Sequence, residues 1–204
     1  MIRSVFSGVN YAYMELGDGD TPLFDSQISD MASLKLAKRR AERAAVYAMI
    51  NECVAPGAVL THSVYGSPAI AGGDCFSLSH SSRFAAVAWA DCSEADTGVW
   101  VDVEEDSERL PRLADKYLSK DEHERLSQLS DSPYLAAWVV KEAVFKASDR
   151  PGAVLRDITI ESARSLGDGI VVCEAELRGM KSIVMARFIA PDAMIAVAKS
   201  SKIS

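Results

Sequence analysis

WVDVEED, residues 100–106, and YLAAWVVKEAVFK, residues 134–146, are the stretches from which the rest of the chain is read. In the first, Val99, Val101 and Val103 alternate with Trp100, Asp102 and Glu104. That two-residue period predicts a strand with Asp102 and Glu104 on one face. Carboxylates that close repel unless a cation stands between them. Paired oxygen donors suit a hard ion such as Mg²⁺, which takes one or two protein carboxylates and leaves the rest of its shell to water and phosphate.

The second stretch predicts a helix from Tyr134 to Ala147. It holds no Gly or Pro, and Pro133 sits where a first helical turn accepts it. Leu135, Trp138, Val139, Glu142, Phe145 and Lys146 fall on one helical face. Glu142 and Lys146 are thus set in an apolar stripe, where charges are rarely buried unless paired, metal-bound or facing a ligand. An exposed i,i+4 Glu–Lys pair, worth ~0.2–0.5 kcal/mol, is the plainer alternative. The flanking Leu135, Trp138 and Phe145 argue against it. Glu142 beside the Asp102/Glu104 strand would put three carboxylates round one ion, with Lys146 as a neighbouring cation.

The chain has 204 residues, enough for one or two domains with a sizeable core. Its net charge of −7 argues against nucleic acid as the main partner, because phosphate backbones need a basic footprint. No apolar run approaches the ~20 residues that span a bilayer, so no membrane is expected. Cys53, Cys75, Cys92 and Cys173 are scattered, without metal-binding spacing. They read as reduced thiols, and with no apolar leader after Met1 the expected location is cytoplasmic.

In order, the chain predicts an opening strand over Met1–Leu16, a turn at Gly17–Pro22 and a long helix over Ser33–Cys53. Strand-like runs follow at Val59–Tyr65, Cys75–Ser79 and Phe84–Ala90. After residue 104 come two short helices, Ser107–Leu118 and Lys120–Leu129. Beyond the Tyr134–Ala147 helix and a loop at Asp149–Gly152, strands are expected at Leu155–Glu161, Gly169–Leu177, Ile183–Ile189 and Met194–Lys199. One long helix and several strands in each half predict an α+β fold built from a duplicated unit, divided as residues 1–100 and 101–204. Lys35, Lys38, Arg39, Arg40 and Arg43 make the first helix basic, either as a solvated face or as a phosphate site. A lone His is more often structural than functional, but His80 stands among Ser79, Ser81 and Ser82 at a strand end near the carboxylate strand, which adds weight to a ligand contact.

SLSHS (residues 77–81), VDVE (101–104), YLSKDE (117–122) and WVVKEAVFKA (138–147), in this order and spacing, together resemble the 4′-phosphopantetheinyl transferases of the surfactin-synthetase-activating type. The resemblance implies a monomer of two pseudo-two-fold-related α+β halves with the active site at their interface. It implies transfer of the 4′-phosphopantetheine arm of coenzyme A, the co-substrate, to a serine of an apo acyl or peptidyl carrier protein, releasing 3′,5′-ADP. Asp102, Glu104 and Glu142 would hold Mg²⁺ or Mn²⁺. Asp102, Glu142 and Lys146 would be the catalytic residues, with Glu142 or a metal-bound water taking the serine proton and Lys146 near the pyrophosphate. His80, Ser79, Lys38, Arg39, Arg40, Lys141 and Lys146 would contact coenzyme A. Arg109, Arg112, Lys116, Lys120 and Arg125 form either the candidate patch for an acidic carrier or the solvated face of the two short helices.

Three positions depart from the family pattern. Trp100 stands where Gly precedes the carboxylate strand, Ser67 where a Gly-Lys-Pro turn has its Lys, and Tyr47 where the first helix carries an Arg. All three are expected near the coenzyme A pocket. They support an alternative reading, a non-catalytic relative that binds coenzyme A or a carrier protein. An unrelated Mg²⁺-dependent phosphohydrolase would use the same carboxylates but leaves the remaining motifs unexplained.

Overall fold

Short alternating runs punctuated by turn residues fold here into antiparallel sheets, each covered by a helix. The computed structural model describes residues 3–17, 22–62, 67–70, 75–90, 97–148 and 152–201. Cys92, Gly66, and parts of the Gly17–Pro22 turn, the Val59–Tyr65 strand and the Asp149–Gly152 loop lie outside the described residues.

The opening run is a hairpin, β1 (Arg3–Phe6) and β2 (Val9–Glu15), because Gly8 takes the left-handed conformation (φ 74°) that turns the chain. Next come α1 (Asp25–Ala32) and α2 (Ala37–Met49), which ends in a wide π turn at Ile50–Val54. The expected single helix over Ser33–Cys53 therefore begins four residues late. Leu36 is extended (φ −86°, ψ 130°), and Arg40 donates to the Leu34 and Lys35 carbonyls that the break leaves open. Strands β3 (Leu60–His62), β4 (Pro68–Ile70), β5 (Phe76–His80), β6 (Phe84–Ala90) and β7 (Thr97–Glu105) follow. Then come α3 (Arg109–Arg112), α4 (Lys120–Ser127) and α5 (Pro133–Lys146). Ser119 caps α4 reciprocally with Glu122. The chain closes with β8 (Ile158–Gly167), β9 (Ile170–Leu177), β10 (Met180–Ala190) and β11 (Ala193–Ser201).

One antiparallel sheet has the order β1-β2-β6-β5 and another β7-β11-β10-β9-β8, so the architecture is α+β. β7 runs unbroken across residues 100 and 101 and pairs along its whole length with β11. The inner faces of the sheets meet in a core of Val9, Tyr11, Phe84, Val101, Val103, Met185 and Ile195. On the outer face of the first sheet Val46 of α2 and Ile50 of the π turn pack against Ala85 and Val87. On the outer face of the second, α5 packs Leu135, Val140 and Val144 among Val184, Ala196 and Ala198. Among the described residues no helix is long and apolar enough to cross a membrane.

α5 is buried on almost every side, including Leu135, Ala136, Ala137, Val139, Val140, Lys141, Ala143 and Val144. A central helix of this kind has no single apolar stripe. Trp138, Glu142, Phe145 and Lys146 form its half-buried side. Lys141 is only 1% exposed, and its ammonium donates to Glu122 (2.9–3.0 Å) and to the Ile158 carbonyl (2.6 Å). Glu122 also accepts from the Ile160 amide at 2.8 Å, so one buried pair ties α4, α5 and β8 together.

Removing one member of a buried ion pair strands the other charge and costs about 3–5 kcal/mol. Lys141→Met should therefore lower the unfolding free energy by an amount in that range, measured by urea denaturation. Lys141→Met with Glu122→Gln together should recover much of the loss.

Candidate active site

The carboxylate strand and the half-buried side of α5 meet at Asp102. Gly98, Trp100, Asp102 and Glu104 share the face of β7 that looks toward α5, while Val99, Val101 and Val103 enter the core between the sheets. Asp102 is 5% exposed. Its Oδ1 accepts from Lys146 Nζ and from Ser79 Oγ, both at 2.9 Å. Lys146 Nζ also donates to the Val101 carbonyl at 2.7 Å. Asp102 Oδ2 is buried and has no hydrogen-bond partner.

Glu104 and Glu142 stand close enough to Asp102 to feel its charge. Burial, then Asp102, then Glu105 and Glu142 push the Glu104 carboxyl up to about 7, although the Trp138 indole donates to it. Burial and then Asp102 push Glu142 up to about 7, against the pull of Lys146. Crowded, half-desolvated carboxylates of this kind lack a positive charge. The donor set and the orphaned Asp102 oxygen fit a divalent ion. Among the described residues, however, no three acidic, His or Cys side chains already stand close enough together to enclose one. The side chains would have to close in around it.

The first sheet delivers the other part of the site. β5 lies against the edge of β7, where Ser77 Oγ accepts from the Val101 amide at 3.1 Å. His80 leaves the end of β5 toward α2. Its Nε2 lies 3.1 Å from Arg39 Nη1 and its Nδ1 3.6 Å from Glu42 Oε1. A guanidinium only donates, so Nε2 accepts and Nδ1 carries the proton toward Glu42. Burial lowers the His80 pKa, Glu42 opposes this, and Arg39, Lys146 and Lys38 lower it further. Glu42, almost wholly buried, also pairs with Arg39 (3.1 Å) and Lys38 (3.8 Å), whose side chains are 57% and 63% exposed. A recess of about 150 Å³ lies here, with Arg39, Glu42, Arg43 and His80 in its wall.

Three of the residues expected to contact coenzyme A have partners within the chain. Lys141 is buried against Glu122. Arg40 is turned to the Leu34 and Lys35 carbonyls. Ser79 is 7% exposed and its hydroxyl donates a hydrogen bond to Asp102, so it orients the carboxylate. Lys38, Arg39, His80 and Lys146 remain as a connected basic group. Two of the three departures prove to be core features. Tyr47 is fully buried, its hydroxyl donating to Asp30 (2.8 Å) and accepting from the Leu60 amide (3.3 Å). The Trp100 ring folds back over Gly98, where an added Cβ would stand 1.9 Å from it, and packs on the core beneath α5. Ser67 is exposed beside β4.

Sequence reasoning missed Glu105 and Glu42. Glu105 accepts from Ser81 Oγ (2.6 Å), Ser82 Oγ (2.8 Å) and the Arg83 amide (3.0 Å), buckling the loop after His80 to the end of β7. Burial acts to raise its carboxyl pKa, but these hydrogen bonds prevail and hold it below the ordinary range. Glu42 could have been found from its spacing to Lys38 and Arg39, four and three residues before it. No comparable signal marks Glu105.

Residues 98–176 match the family model of the 4′-phosphopantetheinyl transferase superfamily. The match takes in Asp102, Glu104, Glu142 and Lys146, and it stops short of Ser79, His80 and α2. No curated protein matches the chain.

A carboxyl whose pKa is raised on folding favours the folded state below its unfolded pKa, and that advantage is lost as pH rises through the folded value, here about 7. Glu104→Gln should therefore raise the melting temperature of the metal-free protein by ~2–5 °C at about pH 8. At about pH 5 the change should be negligible. Calorimetric melts at the two pH values check this.

Proposed function

We propose that this protein transfers the 4′-phosphopantetheine arm of coenzyme A to a serine of an apo acyl or peptidyl carrier protein, releasing 3′,5′-ADP. In this reading residues 1–100 and 101–204 are pseudo-two-fold-related halves of a cytoplasmic monomer, and the reaction takes place where β5 meets β7. The observation that carries the reading is the buried, unpartnered Asp102 Oδ2, beside Glu104 and Glu142, within the segment that matches the transferase superfamily.

Asp102, Glu104 and Glu142 would hold Mg²⁺ or Mn²⁺. When bound, that ion would neutralise pyrophosphate charge and polarise the phosphorus under attack. Ser79 fixes the Asp102 carboxylate by taking one lone pair of Oδ1, which leaves Oδ2 free for coordination. Lys146 is tethered to the Val101 carbonyl and lies between the carboxylates and His80. From there its ammonium can turn to the leaving phosphate as charge builds on it. The Glu142 carboxylate accepts the proton of the carrier serine. Arg39 and Lys38 present exposed cationic ends next to His80, placed for the 3′-phosphate of coenzyme A.

The assay is purified protein with Mg²⁺, coenzyme A and an apo carrier protein, followed by mass spectrometry of the carrier. A phosphopantetheine adduct is expected. It should be lost with chelator and reduced at least ~100-fold in Asp102→Ala. Coenzyme A binding without transfer, across several carriers, would replace this reading with that of a binding module.

Of the basic residues assigned to the carrier, Arg125 is bonded to the Ile160 carbonyl at 2.5 Å, Lys120 reaches Glu124 at 3.8 Å, and the exposed Arg112 pairs with Glu108 at 2.7 Å. Arg109, Arg112 and Lys116 rim a cleft of about 670 Å³ floored by Leu113, Trp138 and Leu155. Trp138 connects that cleft to Glu104. An apolar floor with a basic rim fits an acidic carrier surface. Reversing charge at Arg112 and Lys116 together should raise the KM for the carrier about tenfold or more and leave that for coenzyme A unchanged. Steady-state kinetics with each substrate varied in turn gives the comparison.

A further inference from the structure

A second recess lies at the β8–β10 side of the five-stranded sheet, where the β1–β2 hairpin closes over it. Its volume is about 470 Å³. Small-molecule sites commonly run ~300–1,000 Å³. The register explains the floor. Met185 pairs with Val172 and Arg187 with Ile170, so β9 and β10 present these residues and Ile183 on one face. Val5 and Phe6 of the hairpin form the opposite wall.

The polar groups around this apolar floor have one sign. Arg3, Arg164 and Arg187 line the recess, and no Asp or Glu among the described residues does. None of the three is in an ion pair among the described residues. Arg3 lies over the Tyr13 ring at 5.7 Å, and Arg187 donates to the buried Tyr11 hydroxyl. Glu174, further along β9, faces the adjoining cleft and accepts from Ser162 at 2.9 Å. In a chain of net charge −7, three guanidinium groups gathered without a carboxylate among the described residues make a local region of positive charge. Guanidinium suits carboxylate and phosphate in particular.

We propose that this recess binds an amphiphilic anion, a ligand with an apolar body seated on Leu166, Ile170 and Ile183 and a carboxylate or phosphate head held by Arg164 and Arg187. The site is separate from the Asp102 cluster, since β8 is the edge strand opposite β7.

Isothermal titration of the full chain with decanoate, decyl phosphate, decanol and inorganic phosphate, below micellar concentrations, tests this. Decanoate and decyl phosphate should bind one to one, and the tighter of the two identifies the preferred head group. Decanol should bind at least ~10-fold more weakly, and inorganic phosphate should give no saturable heat. Arg164→Gln, at an exposed strand position, should weaken decanoate about threefold or more, and with Arg187→Gln about tenfold or more. Saturating coenzyme A should leave decanoate affinity unchanged. Equal binding of decanol, equal binding of inorganic phosphate, full affinity in the folded arginine variants, or competition by coenzyme A would each overturn the assignment.

Discussion

The buried carboxylate of Asp102 is the constraint on which the arrangement depends. Desolvating an anion is costly unless its oxygens are matched by donors or a cation. Oδ1 is matched twice, by Ser79 from β5 and by Lys146 from α5. Those two bonds join the first sheet, the carboxylate strand and the central helix at one atom. Ser77 and Glu105 repeat the connection on either side, the first to the Val101 amide and the second to the loop after His80. Arg83 adds an outer tie, its guanidinium reaching Glu15 on β2 and Asp192 before β11. The sheets are thereby held in register where the candidate chemistry lies, and Oδ2 is left without a partner.

Charge is distributed to the same end. Glu104 and Glu142 crowd Asp102, and their raised pKa values measure how far the site falls short of neutrality. On the His80 side the balance is reversed: buried Glu42 is surrounded by Lys38, Arg39 and His80. Lys146 lies between the two groups and is coupled to both. Negative charge in excess on one side of Lys146 thus faces positive charge in excess on the other.

Strand and helix periods were enough to find β7, β6, the closing strands and α5, because strong alternation and a Pro at the first turn are local signals. The hairpin in residues 3–15 resembles one strand in sequence because Ser7-Gly8 is a minimal turn inside an apolar run. The pattern expected of a helix over Ser33–Cys53 extends too far toward the N-terminus since Leu34 and Leu36 sustain it, whereas residues 33–36 connect α1 to α2. Asp102, Glu104, Glu142 and Lys146 were legible as a group, and their proximity follows from two elements with clear periods. What spacing could not carry was the allocation of partners. Lys141, Arg40 and Ser79 are motif or near-motif residues of the right chemical type, and each is committed to a neighbour that only the tertiary arrangement supplies.

Lys141 and Lys146 show why two lysines in one motif take opposite tasks. Five residues along a helix turn the side chain by ~140° net, so they cannot share a face. Four residues turn it by only ~40°, which puts Glu142 and Lys146 side by side. Lys141 therefore enters the protein on the side of α4 and β8, where Glu122 meets it. Glu142 and Lys146 turn together toward Asp102. The buried pair sets the rotation of α5 about its own axis, since a shift by one residue would withdraw the Lys141 ammonium from Glu122. The same rotation aims the other two side chains at β7. The spacing K-E-x-x-x-K thus couples a buried anchor to the pair that faces Asp102 across one helix, and the anchor governs where that pair is presented without touching it.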